Sequence, residues 1–312
     1  MYTYRTVIPE DYPDIARIRN SYRPEPVTAE VLKLYAERER QLSEHHLHLV
    51  AVTPSGEAAG EVVAVQDVES PPGEWFVTFG VAPEHRRRGA GRELYHRAEA
   101  FARERGARSI RAIVEGSQEE AFWFALEMGF KLERQRLEAV LHLPDWDGAR
   151  FGKQVASVRA SGIRIVSLPA LSGEDLLHQV YDLEMETLEE APFFSGFRPA
   201  YEIWAREHTS LWPGEQFCTV ATDGERLVGV SIIYLPPASG GGARQGFTAV
   251  RRAYRGRGIA VALKLVNIKE CKARGVDHIR TTTDPENQAV QVMNLRLGFR
   301  PVPGPRLVVK HF

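Results

Sequence analysis

The chain has 312 residues, and its 43% hydrophobic and 26% charged contents are those of an ordinary globular protein. Forty basic residues face forty-one acidic ones, so the overall charge favours neither nucleic acid nor an anionic membrane surface. The sequence contains no apolar run of about 18 residues and no apolar signal segment at its start. Cys218 and Cys271 form no CxxC pair, which favours a reducing compartment without disulfides or a zinc site. We therefore expect a cytoplasmic protein that binds no nucleic acid, membrane or metal.

Hydrophobic periodicity in the first half predicts a mixture of strands and helices. The predicted strands are 2–7, 47–52, 61–68, 75–81, 109–114 and 136–143, and the predicted helices are 9–20, 28–42, 89–105 and 118–128. Strands dominate the start and alternate with helices toward the end, which predicts a mixed α/β sheet with helices packed on its faces.

The second half repeats this order. Strands are predicted at 163–167, 216–222, 226–235 and 245–250, with helices at 258–274 and 286–297 and further helices between 174 and 207. Residues 145–162 have no clear apolar period and contain glycines. We therefore predict an N-terminal domain over 1–145, a linker over 146–162 and a C-terminal domain over 163–312, each near the commonest domain size.

One segment occurs twice, at a constant spacing of 169 residues. The matched pairs are Arg86 and Arg255, Gly89 and Gly258, Leu94 and Leu263, Gly106 and Gly275, and Gly129 and Gly298. In both copies glycine stands where a strand is followed by a helix. Backbone N–H groups at a helix start lack intrahelical partners and the helix dipole adds positive potential there, so each copy predicts a phosphate-binding site.

The spacing excludes two common phosphate loops. No lysine stands where a Walker A motif needs one, and neither copy supplies the third glycine of GxGxxG. Both copies instead read Arg-x-x-Gly-x-Gly/Ala, over residues 86–91 and 255–260.

This motif resembles the one by which the GNAT family of N-acetyltransferases binds the pyrophosphate of acetyl-CoA. A Gly-Phe pair after the next helix, Gly129-Phe130 and Gly298-Phe299, extends the resemblance through both halves. It implies two tandem GNAT-like domains, each a mostly antiparallel sheet splayed into a V beside a bulged strand. It further implies direct acetyl transfer from acetyl-CoA to a primary amine of a small molecule or peptide, by a monomer or homodimer.

The resemblance also implies which residues contact acetyl-CoA. In the first half these are Val81, Arg86, Arg87, Arg88, Gly89, Ala90 and Gly91. In the second half they are Val250, Arg255, Gly256, Arg257, Gly258, Ile259, Ala260 and Asn287. A helix cap is the alternative role for Asn287.

The catalytic groups depart from the family pattern. Members often carry a tyrosine that protonates the leaving sulfur, at positions occupied here by Ala125 and Asn294. The candidates are therefore Asn294, Tyr254 and, as a base, Glu74; each also has a purely structural interpretation. Since the first half carries Gln118 and Ala125 at the places of Asn287 and Asn294, we expect catalysis in the second half. A non-catalytic acyl-CoA-binding protein with two degenerate GNAT folds is the alternative.

Overall fold

The computed structural model describes residues 1–68, 70–190, 194, 196–209, 214–236 and 241–312, and it divides the chain into two units. Unit 1 comprises Met1–Arg136 with Pro303–Phe312, and unit 2 comprises Leu137–Val302. Each unit contains a seven-stranded mixed sheet with helices. The predicted fold class, a tandem α/β architecture, is confirmed.

Fourteen strands lie in the described part of the chain. They are β1 Thr3–Thr6, β2 His46–Val52, β3 Ala58–Gln66, β4 Glu74–Val81, β5 Ser109–Val114, β6 Lys131–Gln135, β7 Leu137–His142, β8 Arg164–Leu168, β9 Glu215–Asp223, β10 Arg226–Leu235, β11 Gly242–Val250, β12 His278–Thr283, β13 Arg300–Val302 and β14 Arg306–His311.

Nine α-helices are described. They are α1 Tyr12–Asn20, α2 Ala29–Leu42, α3 Ala90–Glu104, α4 Glu119–Glu127, α5 Gln154–Ala160, α6 Glu174–Glu189, α7 Tyr201–His208, α8 Ile259–Ala273 and α9 Gln288–Leu297.

The two sheets exchange their late strands. The first sheet has the order β1-β2-β3-β4-β5-β14-β6, so the last strand of the chain lies inside it. The second has the order β13-β7-β12-β11-β10-β9-β8, so β7 lies between β12 and β13. Among the strand pairs that the structure describes, each sheet has one parallel pair, which is β4–β5 in the first sheet and β11–β12 in the second.

Because of this exchange, the boundary between the two units differs from the domain boundary that the sequence predicts. The predicted first domain ends at residue 145, whereas unit 1 ends at Arg136 and takes its last strand from Pro303–Phe312. The predicted linker 146–162 belongs to unit 2. It contains α5, whose Val158 is buried with Ile259 and Ala262 of α8. Flanking glycines and a length of seven residues hide this helix from a periodicity argument.

The helix that ends each strand–turn–helix segment packs on its sheet as its apolar spacing predicts. In α3 the residues Leu94, Tyr95, Ala98 and Ala102 are buried against the first sheet. α8 is buried on more of its circumference, because α5 covers a second side of it. Both helices begin at the carboxyl end of the preceding strand, which positions the candidate site.

Candidate active site

The two phosphate loops, residues 86–91 and 255–260, have the same backbone course. Gly89 and Gly258 are the N-cap residues of α3 and α8 and have φ of 87° and 77°. Two residues earlier, Arg87 and Gly256 have φ of 62° and 76°. A non-glycine residue pays roughly 1 to 2 kcal/mol for this left-handed region. Since Arg87 adopts it where unit 2 has glycine, the loop shape is held by its surroundings.

The helix starts leave N–H groups available. Among the described residues, no side chain caps α3 or α8 at Gly89 or Gly258. The first turn of each helix therefore presents backbone donors together with the positive end of the helix dipole, in a form that suits a phosphate. The predicted loop residues of each unit are thus brought together at one helix start.

The first arginine of each motif braces its loop. Arg255 donates from Nε to the carbonyl of Val250 at 2.9 Å and pairs with Glu190 at 2.6 Å. Arg86 donates from Nε to the carbonyl of Val81 at 3.2 Å. These guanidinium groups hold the loop against the strand end. Arg257 is exposed beside the loop, donates to the carbonyl of Ala253 at 3.2 Å and lies over the ring of Tyr254. Because Arg255 is already ion-paired with Glu190, Arg257 is the side chain better placed to turn toward a phosphate in unit 2.

Gln154 is a residue near the loop that sequence reasoning missed. Its Nε2 lies 2.9 Å from the position that a Cβ would take on Gly258. It stands at the start of α5, inside the predicted linker, so nothing in the local pattern indicated it. The amide adds a polar side chain to the phosphate loop of unit 2.

Beside each loop, two parallel strands separate into a gap that we call the wedge. β11 and β12 are paired over Gly242–Arg244 and His278–Arg280, and within the described residues their later parts are not paired with each other. β4 and β5 are likewise paired over three positions. The predicted V-shaped opening is present in both units, between the strand that leads into the phosphate loop and its parallel neighbour.

Only β11 carries a bulge next to the wedge, among the strands described there. Ser231 pairs with Thr248, but Ile233 pairs with Gln245, so β11 has one extra residue over this stretch. In unit 1, β3 and β4 keep one continuous register from Gly60–Val81 to Gln66–Trp75. A bulge redirects backbone groups out of the ladder. The bulge therefore redirects further backbone N–H and C=O groups of β11, whereas β4 offers the wedge only the groups left unpaired by its separation from β5.

The side chains around the wedge differ in polarity between the units. In unit 2 buried polar residues surround it, namely Ser231, Gln245, Lys264, Asn267, Thr281, Thr283 and Asn294, together with the half-buried Thr248. At the positions matched by spacing or strand register, unit 1 has Val62, Val77, Phe79, Tyr95, Ala98, Ala112, Val114 and Ala125. The same fold thus encloses a polar wedge in unit 2 and an apolar one in unit 1.

Aromatic rings line the apolar wedge. The ring of Phe79 lies 5.4 Å from that of Phe124 and 6.4 Å from that of Tyr95. Phe124 also reaches the helix start, with Cζ 3.8 Å from the position of a Cβ on Gly91. These rings on β4, α3 and α4 therefore pack against one another next to the gap between β4 and β5.

The polar residues of unit 2 form hydrogen-bonded networks. Asn267 donates to Ser231 at 3.0 Å and accepts from Thr219 at 2.6 Å, while Gln245 donates to the carbonyl of Ile232 at 2.7 Å. Ser231 and Thr248 share a hydrogen bond of 3.0 Å across the bulged strand pair. Burying these groups without partners would be costly, so the network fixes the bulged geometry.

A second network involves Asn294, one of the predicted catalytic residues. Asn294 is buried and accepts a hydrogen bond of 2.7 Å from Nζ of Lys264. Burial lowers the pKa of Lys264 to about 7. Sequence reasoning missed Lys264, although a lone lysine among the buried apolar positions of α8 was a usable signal.

The other predicted residues have partners of their own. Asn287 caps α9, its side chain accepting from the N–H of Val290 at 3.2 Å. Tyr254 donates its hydroxyl proton to Asp223 at 2.8 Å, and this hydrogen bond raises its pKa. Glu74 forms an ion pair with Arg111 at the paired end of β4 and β5. None of these three contacts directs a side chain to the wedge, and Glu74 lies at the end of β4 opposite to the loop.

One group in unit 1 has donor atoms that could hold a metal ion. In the described residues, Glu57, Glu84 and His85 place ligand atoms within 4.8 Å of one another. Both carboxylates are ion-paired with Arg17 at 2.6 Å. Arg17 therefore already pairs with both carboxylates of this group and offsets one of their two negative charges.

Two mixed sheets, each with a splayed strand pair beside an open helix start, define a duplicated α/β protein of acyltransferase architecture. The model of the Acetyltransferase (GNAT) family matches residues 12–130 and again residues 177–299. The chain therefore belongs to the GNAT acetyltransferase family, whose members use acetyl-CoA and acetylate amines.

Individual proteins are similar to this chain in part of their sequence or in their fold. Over 91 residues the chain is 33% identical to N-alpha-acetyltransferase 30 of Schizosaccharomyces pombe, a match covering 28% of this chain and 59% of that relative. A tandem GNAT protein from the clavulanic acid biosynthesis pathway superposes with a TM-score of 0.82 and 19% identity, over 100% of this chain and 98% of that one. A GCN5-related N-acetyltransferase from Sphaerobacter thermophilus gives 0.69 and 22%, over 99% and 95%. The two structures share the tandem fold.

The cysteines and the helix lengths bear on the predicted compartment. Both cysteines are free and buried, and burial raises the pKa of each thiol to about 12. No helix in the described part of the chain is long and apolar enough to cross a membrane.

Proposed function

We propose that this protein is an acetyl-CoA-dependent N-acetyltransferase and that unit 2 carries out the reaction. The acetyl group passes directly from the thioester to a primary amine of a small molecule or peptide. The observation that carries the proposal is the combination, in unit 2, of an open phosphate loop, a bulged β11 and a polar wedge. We propose the cytoplasm as its location and a monomer or homodimer as its assembly.

The wedge suits the chemistry of the thioester. Attack by an amine turns the thioester carbonyl oxygen into an oxyanion, which needs hydrogen-bond donors placed in advance. The bulge of β11 lies between Ser231 and Ile233, next to the wedge, and frees backbone groups for this purpose. Holding both substrates in one cleft supplies a further large part of the rate.

Unit 1 has another role in this proposal. Its phosphate loop has the backbone shape of the second one, but Phe79 and Phe124 line its wedge. A pantetheine arm would meet those rings. We propose that unit 1 is a pseudo-domain with a structural or cofactor-holding role.

Each predicted site residue has a role in the proposed reaction or in the fold around it. The residues 255–260 bind the pyrophosphate through backbone N–H groups, with Arg257 adding a charge, and Asn287 shapes the start of α9. The residues 86–91 are the matching loop of the pseudo-domain. Asn294 acts inside the wedge, whereas the partners of Tyr254 and Glu74 favour structural roles for these two side chains.

A non-catalytic acyl-CoA-binding protein is the second candidate function. It is favoured by the absence of a tyrosine at Ala125 and Asn294. The release of free thiol from acetyl-CoA in the presence of an amine panel separates the two candidates, because a binding protein releases none.

A matched pair of substitutions tests which unit reacts. Gly89→Val and Gly258→Val each put a branched side chain at a left-handed N-cap. A Cβ at Gly89 meets nothing within 4 Å, and one at Gly258 meets the movable amide of Gln154. We expect Gly258→Val to lower turnover by on the order of 10²-fold, since it displaces the phosphate anchor, and Gly89→Val to leave it nearly unchanged.

Thiol release measures turnover in both variants, and circular dichroism compares their folding. If Gly89→Val abolishes turnover and Gly258→Val retains it, the reaction belongs to unit 1.

The salt dependence of acetyl-CoA affinity tests the loop of unit 2. Exposed Arg257 contributes a full charge that salt screens, whereas the backbone N–H groups contribute only partial charges, so we expect affinity to fall by no more than about fivefold from low to high salt. Calorimetric titrations of Arg257→Ala should show a flatter dependence. Arg164→Ala, a change at an exposed arginine on β8, is the control. An unchanged dependence in Arg257→Ala would remove this side chain from the site.

A further inference from the structure

Lys264 is a buried cation with a single polar contact. It lies on α8 with 2% of its surface exposed. Its Nζ donates to Oδ1 of Asn294 at 2.7 Å, and the ring of Phe299 is centred 5.3 Å away. Among the described residues no second hydrogen-bond acceptor contacts Nζ. An ammonium group has three N–H donors, so this one keeps donors for a further acceptor.

The contact chain from Lys264 leads to the wedge. Nδ2 of Asn294 lies 3.5 Å from Oγ1 of Thr283. Thr283 is the last residue of β12, in the part that has separated from β11. The ammonium group is therefore two side-chain contacts away from the open end of the wedge, on its β12 side.

The fold itself does not require a lysine here. Unit 1 has Tyr95 at the matched position of α3, packed 5.5 Å from the ring of Phe130. An isolated buried charge is costly, and it remains only where something offsets or uses it. The lysine occurs in the unit whose wedge is polar and whose strand is bulged.

Neighbouring charges do not account for the lowered pKa of this lysine. Burial alone lowers the pKa of Lys264, to about 7. The charged groups and histidines on the elements around it are Lys269, Glu270 and Lys272 on α8, Arg296 on α9, His278 and Arg280 on β12, Glu138 and His142 on β7, and Arg244 on β11. None of them contributes to that shift. The group consequently changes its charge near neutral pH.

We propose that Lys264, held by Asn294, is the proton donor to the thiolate that leaves during acetyl transfer in unit 2. This inference rests on the proposed function and adds to it the acid that the reaction needs. A thiolate departs more readily when it is protonated as the bond breaks, and a group with a pKa near the working pH is suited to that transfer.

In the proposed step the neutral amine forms a bond to the acetyl carbon, and the tetrahedral intermediate collapses with cleavage of the C–S bond. The electron pair of that bond stays on sulfur, and the proton that Nζ of Lys264 gives up reaches the sulfur through a bridging water molecule in the wedge, which gives the free thiol. The nitrogen of the new amide loses its extra proton to water, and Lys264 regains a proton from solvent.

The test compares Lys264→Met with the wild-type protein. Methionine fills a similar volume without charge, so the variant is expected to fold and to bind acetyl-CoA with unchanged affinity. We expect kcat to fall by about 10²- to 10⁴-fold, the usual contribution of a general acid. In the wild-type protein kcat should decline above pH of about 7, as Lys264 loses its proton, and this alkaline limb should be missing from the variant.

A second variant keeps the test decisive if Lys264→Met is unstable. Asn294→Asp places a carboxylate beside Nζ, which favours the charged lysine and should move the alkaline limb to higher pH by about 1 to 3 units. Tyr95→Phe, at the matched position of unit 1, should change neither kcat nor the profile.

The outcomes separate this proposal from the proposed function. A wild-type protein that turns over, with an unshifted limb in Asn294→Asp or normal kcat in Lys264→Met, overturns the role of Lys264 alone. A wild-type protein that binds acetyl-CoA but releases no thiol with any amine overturns both.

Discussion

Deletion of residues 303–312 is expected to unfold unit 1 and to leave unit 2 folded. These residues contain β14, which pairs with β5 over six positions and with β6 over four. Val308 lies in the core beneath α3, and Val309 is also buried. Lys310 pairs with Glu99 of α3 at 2.7 Å.

The size of the expected loss follows from this position inside the sheet. Two buried valines contribute about 1.5 to 3 kcal/mol each, and the deletion also leaves backbone groups of β5 and β6 unpaired. Together these approach the 5 to 15 kcal/mol by which a whole domain is stable, taken as an order of magnitude. A loss of this size would leave unit 1 with little or no net free energy of unfolding.

Hydrogen exchange followed by mass spectrometry measures this outcome. Amides of β4 and α3 should lose protection in the deletion variant, and amides of β9 and β10 should keep it. Deletion of Phe312 alone, which leaves β14 whole, is the control. If β9 and β10 lose protection while β4 keeps it, β14 belongs to the second sheet and the strand exchange is wrong.

The positions of most elements could be predicted from the sequence because their signals are local. Alternation of apolar residues and glycine at turns indicated both phosphate loops, and the structure places α3 at Ala90–Glu104 against a predicted 89–105. The exchange of β7 and β14 could not be predicted this way. The apolar residues of either strand can be buried in either sheet, and the choice depends on pairing between residues far apart in sequence.

The wedge was also only partly predictable. The bulge of β11 is a shift in register, and register is not visible in a single strand's pattern. Lys264 was in principle accessible, since the 169-residue spacing sets it against Tyr95, as it sets Ser231 against Val62. The comparison of buried positions between the halves, rather than of loop motifs, shows which wedge is polar.

The substitution Glu61→Val is expected to destabilise unit 1 by about 3 to 5 kcal/mol, because it leaves a buried arginine without its partner. Glu61 of β3 is fully buried and accepts hydrogen bonds from Arg19 at 2.5 Å and from His48 at 2.9 Å. Burial would raise the pKa of Glu61, but Arg19 and His48 outweigh it and lower the pKa to about 2. The pKa of Arg19 is raised, so this side chain cannot relieve its isolation by losing a proton.

Unit 2 supplies the matched control. At the same position in its sheet it has Val230, which pairs with Ala249 as Glu61 pairs with Gly80. An apolar residue therefore fits this site once the opposing charge is gone. The double variant Arg19→Met with Glu61→Val should regain most of the lost stability, since no buried charge remains unpaired. Urea unfolding of the three proteins at neutral pH gives the comparison.

The pH dependence gives an independent measure of the same ion pair. Because the pKa of folded Glu61 lies below its ordinary value of 4.5, the ion pair stabilises unit 1 above that pH and loses its effect as the pH falls to about 2. The wild-type protein should therefore lose about 3 kcal/mol more than the double variant across this range. Equal losses in both proteins, or a double variant as unstable as Glu61→Val, would show that the charged pair does not hold α1 to the first sheet.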